Sequence, residues 1–165
     1  MIEDLARHHR PVGDLFRWPG EAHELARFRL TDEQLEFYKS NGYLAGVRLL
    51  NDAQVEALRA ELSQLVNPSH PGKQLFYEYH SNESTDPHRT LFHALGAWRV
   101  APGFHDLLWN PACLVPASQL LGGAVRFWHD QIFYQPAHHG GLGAWHQDSF
   151  SCSRATPVPH LSLSF

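Results

Sequence analysis

The clearest candidates for chemistry are a histidine and a carboxylate two positions apart, His146 and Asp148, in the run Trp-His-Gln-Asp. Side chains two residues apart on a strand point to the same face, so an imidazole nitrogen and a carboxylate oxygen can bind one ion. With a second histidine, this pair would form the triad that holds Fe(II) and leaves coordination positions open. The pattern alone is weak, because about one His-x-Asp/Glu triplet is expected by chance in so histidine-rich a chain. A surface histidine beside a solvated aspartate remains an alternative.

The composition narrows the possible partners. The chain has 165 residues, 13 histidines and a formal charge of -4, with 13 Lys and Arg scattered among 17 Asp and Glu. Such a charge pattern offers no basic surface for nucleic acid or for an anionic membrane. The two cysteines show no metal-type spacing, and the first residues lack the apolar core of a signal peptide. We therefore expect a soluble, cytoplasmic protein without a membrane anchor. The sequence leaves its oligomeric state open.

The predicted helices and strands form the structural frame of the His-x-Asp pair. A polar arm is expected over residues 1–30, followed by a folded domain over 31–165. Thr31 and Gln34 have capping-box spacing ahead of one helix, and a second helix is predicted up to Val66. Helices first and strands later indicate an α+β fold. Short helical pieces broken at Pro102, Pro111 and Pro116 are predicted over 91–121, and strands over 43–49, 75–79, 124–136, from 144, and over 160–165.

The stretch from Arg126 to Pro136, the glycine-rich loop after it and the run Ala144–Asp148 together resemble the phytanoyl-CoA dioxygenase family. The resemblance extends through Thr156-Pro157 and His160-Leu161-Ser162, and it covers about residues 31–165. That family consists of oxygenases that depend on Fe(II) and 2-oxoglutarate. The resemblance implies N-terminal helices packed on a double-stranded β-helix, a jelly-roll or cupin-like sheet structure. It also implies a small organic substrate, dioxygen as co-substrate and stimulation by ascorbate.

The same resemblance implies roles for three residues. His146 and Asp148 match the first two iron ligands of the family. Gln131 falls where the family often has a residue that contacts 2-oxoglutarate, although an ordinary strand amide is an equal alternative. Related halogenases lack the carboxylate ligand, so the presence of Asp148 favours hydroxylation.

The sequence departs from the family in its last part. The third iron ligand of the family is a distant histidine, and an arginine after it pairs with the 2-oxoglutarate carboxylate. After Asp148 the chain has only Arg154 and His160, which both come too early to be that pair. About three of the eight or so strands of a closed β-helix are also present. We therefore expect an incomplete barrel, a truncated chain, two-ligand iron binding and no turnover by this polypeptide alone.

Two other classes of function stay open at this point. One is a non-catalytic metal-binding or interaction module on a cupin-like sheet. The other is a zinc or manganese cupin isomerase or hydrolase that uses His146 and Asp148 as ligands. The metal content of the purified protein would separate these alternatives, because iron that responds to 2-oxoglutarate would favour the oxygenase.

Overall fold

A computed structural model describes residues 2–141 and 160–165, and these residues form an α+β structure. The α-helices are α1 (Asp32–Asn41), α2 (Asp52–Leu65), α3 (Pro102–Leu107) and α4 (Pro111–Leu121). The strands are β1 (Glu78–His80), β2 (Phe92–Leu95) and β3 (Gln131–Tyr134). Short 3-10 helices lie at Leu5–Arg7, Ala22–Phe28, Lys73–Leu75 and Ala97–Arg99. The described residues divide into two units, one with α2, α3 and the sheet, the other with α1 and α4.

The first helix begins where the sequence predicts. The Thr31 hydroxyl accepts a hydrogen bond from the backbone N–H of Gln34, and the Gln34 side chain accepts one from the backbone N–H of Thr31. These two bonds satisfy backbone donors that have no partner within the helix. Gly42 ends the helix at φ 78°, a left-handed conformation that glycine adopts without steric cost. The predicted capping box is confirmed.

The three strands form one antiparallel sheet in the order β1-β2-β3. His80 lies opposite His93 in the first pair, and His93 lies opposite Phe133 in the second. Because side chains alternate along each strand, the register assigns every residue to one of two faces. Glu78, His80, His93, Leu95, Gln131 and Phe133 share one face, which we call the open face.

The opposite face of the sheet belongs to the hydrophobic core. Phe92, Ala94 and Ile132 are buried there, together with Leu65 at the end of α2 and Phe76 ahead of β1. The Tyr79 ring packs edge-on against both Phe76 and Phe92, with ring centroids 5.3 Å apart in each case. The apolar face therefore anchors the sheet on α2 and leaves the open face for polar contacts.

In the unit with α2, α3 and the sheet, three buried or half-buried carboxylates accept hydrogen bonds from backbone N–H groups of loops and helix ends. Asp106 is fully buried and accepts hydrogen bonds from the N–H groups of Val12, Gly13 and Leu15. Glu61 of α2 accepts from Gly103 and Phe104 at the first turn of α3, and its burial raises the pKa of that carboxyl. Asp130, beside β3, accepts from Gly96 and Trp98.

The unit with α1 and α4 is held by side-chain hydrogen bonds as well as by packing. The Gln119 amide oxygen accepts from the backbone N–H of Leu30 at 2.8 Å, and its amide nitrogen donates to the Leu30 carbonyl at 3.3 Å. Asn110 caps α4 by accepting from the N–H of Ala112. Within α4, Cys113 is buried, which raises the pKa of its thiol to about 11.

Several predicted elements are wrong. Residues 92–95 were predicted to belong to short helical pieces, but they form strand β2. So short an apolar run is compatible with a helix or a strand, and here it pairs with a strand on each side. Pro116, predicted to break the helix, lies inside α4, where tertiary packing of the buried ring outweighs its missing N–H. Residues 43–49 and 160–165 form no strand, and Leu163 and Phe165 are 40% and 68% exposed.

Among the described helices, none is both long and apolar enough to cross a membrane.

Candidate functional site

The two predicted iron ligands, His146 and Asp148, lie outside the described residues. Their pairing on one face of a strand stays a prediction from spacing. Trp145 and Gln147 lie outside the described residues as well. The third predicted residue, Gln131, lies within the described residues, and the sheet places several polar side chains around it.

Gln131 is the first residue of β3 and lies exposed on the open face. Its amide nitrogen donates a hydrogen bond to Nε2 of His93 on the neighbouring strand, at 2.8 Å. An amide nitrogen has two hydrogens, and among the described residues no other side-chain hydrogen bond of Gln131 is formed. The structure thus places Gln131 on the open face, joined to His93 by this hydrogen bond.

The His93 ring on the open face has hydrogen-bond partners and stacking contacts. Its Nδ1 lies 2.9 Å from Oε1 of Glu83, so both ring nitrogens have a partner. A ring that accepts at Nε2 carries its hydrogen on Nδ1, which donates to the Glu83 carboxylate. The ring also stacks between those of His80 and Phe133, at centroid distances of 5.7 and 4.7 Å. Glu83 therefore orients His93, and His93 orients the Gln131 amide.

A group of potential metal ligands lies on the same face. Glu78, His80 and His93 each offer one donor atom, and these atoms all lie within 4.8 Å of one another. The sequence motifs did not predict this group. The alternation of Glu78 and His80 on a strand was a usable signal, because it places both side chains on one face. His93 comes from another strand, and the pairing register that adds it to the group is a tertiary property.

Other polar and aromatic residues close to Gln131 in the sequence serve the fold or face solvent. Both carboxylate oxygens of Asp130 are used by backbone N–H groups, and its burial raises the pKa of the carboxyl. Asp130 is thus a structural anchor, while its neighbour His129 is exposed. Trp128 is 64% exposed and faces solvent among the described residues. His138 and His139 are exposed residues of the loop after β3, as a solvated turn pair would be.

The described residues define an α+β protein with a histidine-bearing antiparallel sheet. The family model for phytanoyl-CoA dioxygenase matches residues 38–165. The chain therefore belongs to the phytanoyl-CoA dioxygenase family, as its sequence resemblance predicts. Membership implies an oxygenase-type function that depends on Fe(II) and 2-oxoglutarate. Comparison with individual curated proteins gave no match.

Proposed function

We propose that this chain carries part of the site of an Fe(II)- and 2-oxoglutarate-dependent dioxygenase that hydroxylates a small organic substrate. The observation that carries the proposal is the family match, which includes both predicted ligands and the described sheet. In this proposal His146 and Asp148 hold the iron, and Gln131 contacts 2-oxoglutarate. The sheet supports the proposal, because one apolar and one polar face is the arrangement of a wall in a ligand-binding barrel.

The donor types at the predicted site fit iron. One imidazole nitrogen and one carboxylate oxygen are two of the three protein ligands of non-haem Fe(II) oxygenases, whose triad leaves positions open for a chelating co-substrate. When bound, the iron centre supplies the redox chemistry that couples substrate oxidation by dioxygen to conversion of 2-oxoglutarate into succinate and carbon dioxide. Ascorbate would keep the metal reduced.

The described residues have a positioning task in this proposal. The Gln131 amide is held at one end by His93, so its free hydrogen has a defined direction before any ligand binds. A preoriented donor loses less conformational freedom when it binds an anionic oxygen. Glu83 completes the arrangement by holding the other nitrogen of the His93 ring. Gln131→Leu should therefore weaken 2-oxoglutarate binding.

The test is anaerobic binding of Fe(II) and 2-oxoglutarate to the 165-residue chain, measured by the visible absorption of the chelate. We expect weak absorption that is lost in His146→Ala and Asp148→Ala and kept in a control, His88→Ala, which replaces an exposed loop histidine. Absorption that survives both ligand substitutions would refute the proposal. A parallel aerobic assay measures succinate, which we do not expect the polypeptide to form at a sustained rate with His146 and Asp148 as its predicted iron ligands.

The second candidate is a non-catalytic metal-binding module, and the group Glu78, His80 and His93 favours it. Metal analysis of the purified protein distinguishes the two functions. Zinc without any optical response to 2-oxoglutarate would support the binding module. Iron whose absorption depends on 2-oxoglutarate would support the oxygenase.

A further inference from the structure

We propose that Glu78, His80 and His93 form a separate site for a divalent transition ion of the zinc class, with Glu83 as a fourth ligand. This site uses none of the residues assigned to the iron and does not depend on the oxygenase function. It would lie on the open face and connect β1, β2 and the loop after β1.

The sheet brings the donors together. In the antiparallel pair of β1 and β2, His80 lies directly opposite His93, and their rings stack with an interplanar angle of 15°. Glu78 precedes His80 by two residues, so it lies on the same face of the same strand. Glu83 follows in the loop after β1, where Oε1 lies 2.9 Å from Nδ1 of His93 and 3.7 Å from Nε2 of His80.

The donor atoms of Glu78, His80 and His93 lie within 4.8 Å of one another, so side-chain rotation must bring them closer around a small ion. Two ligands on a tetrahedral ion with bonds of about 2.1 Å are about 3.4 Å apart. Nε2 of His80 is 3.8 Å from the Glu78 carboxylate and 3.7 Å from that of Glu83. Half-exposed side chains such as those of Glu78 and His80 can rotate by this amount without disturbing the core. The site would tighten around the ion with the strands in place.

The charge and the donor types select the class of ion. Two carboxylates and two neutral imidazoles carry a charge of about -2, which a divalent ion neutralises. Imidazole nitrogens favour zinc and its neighbours, whereas calcium and magnesium prefer oxygen ligands alone. His80 and Glu78 face solvent and give the ion a route of entry, while His93 is buried and oriented.

Gln131 would then act as the outer partner of a metal ligand. An ion on Nδ1 of His93 would displace the hydrogen now donated to Glu83, and the neutral ring would then carry its single hydrogen on Nε2. The Gln131 amide can turn its oxygen toward that N–H and accept the hydrogen bond. Such outer partners orient ligating histidines and raise metal affinity.

The experiment is calorimetric titration of Zn²⁺ into the full chain carrying His146→Ala and Asp148→Ala, which removes the predicted iron ligands. We expect one bound ion per chain. Adding His80→Ala, or the nearly isosteric Glu78→Gln, should weaken binding about tenfold or more, because each removes a ligand. His88→Ala is the matched control and should leave affinity unchanged. Circular dichroism and the urea midpoint confirm that each variant is folded.

The outcomes separate this site from the proposed iron site. Absence of Zn²⁺ binding in the His146→Ala, Asp148→Ala chain would overturn the inference, as would binding that is indifferent to both His80→Ala and Glu78→Gln. If His80→Ala fails to fold, Glu78→Gln decides alone. If Glu78→Gln keeps the 2-oxoglutarate-dependent iron absorption, the two metal sites are independent. If Glu78→Gln loses both this absorption and Zn²⁺ binding, one ion uses both groups of ligands, and the inference of a separate site is overturned.

Discussion

Alanine at Phe92 and alanine at Phe133 should have very different effects on stability, although the two residues lie on adjacent strands. Phe92 is 1% exposed on the core face, and Phe133 is 57% exposed on the open face. His93 pairs with Phe133, and Phe92 pairs with Tyr134, so a slip of β3 by one residue against β2 would turn Phe133 to the core face beside Phe92. The comparison therefore tests the register that groups Gln131 with His93.

The size of each effect follows from the contacts. Removing a buried phenylalanine side chain costs about 3–5 kcal/mol, because transfer energy is lost and a cavity remains. Phe133 mainly stacks on the His93 ring at 4.7 Å, and loss of an exposed stack of this kind costs about 1 kcal/mol or less. The free energies of unfolding of the two variants should therefore differ by about 3 kcal/mol.

Urea unfolding followed by circular dichroism measures the difference. With a slope of about 2 kcal/mol per molar urea, Phe92→Ala should lower the midpoint by about 2 M and Phe133→Ala by about 0.5 M or less. Ile132→Ala, which also removes a buried side chain from the core face, should resemble Phe92→Ala. Equal or reversed effects at unchanged slopes would refute the register, and with it the open face.

Three further predictions concern buried groups outside the open face. Asp106→Ala leaves three backbone N–H groups without their acceptor. We therefore expect the free energy of unfolding to fall by about 3 kcal/mol and hydrogen exchange to become faster over residues 12–15. Unchanged exchange over these residues would contradict the anchoring role of Asp106. Burial of Cys113 raises its thiol pKa to about 11. In a Cys152→Ser chain at pH 8, Cys113 should react slowly with a disulfide reagent when the protein is folded and rapidly in urea. A fast reaction of the folded protein would show that the thiol is accessible. Burial raises the pKa of Glu61 above its ordinary 4.5, so the folded state holds this proton more tightly than the unfolded state does. The free energy of unfolding should therefore fall, relative to that of Glu61→Gln, as the pH rises from about 4.5 through the folded pKa. A constant difference between the two chains across this range would contradict it.

Local patterns predicted the parts of this protein that depend on near neighbours. The capping box at Thr31 and Gln34 was confirmed, because both partners belong to one helical turn. The order of helices and strands predicted the α+β class, and the residues around Gln131 predicted the family over most of the chain. The spacing of His146 and Asp148 is local in the same sense, and their shared ion stays a prediction.

Tertiary structure decided which distant residues meet. Phe92 and its neighbours were predicted as helical, and only the strands on either side make them β2. Gln131 and His93 are 38 residues apart, and their hydrogen bond exists because β2 and β3 pair in one register. The group Glu78, His80 and His93 depends on the pairing of β1 with β2 in the same way. Side-chain periodicity specifies the face of each strand, but the register comes from burying Phe92, Ala94 and Ile132 against α2, a packing energy that no short stretch of sequence contains.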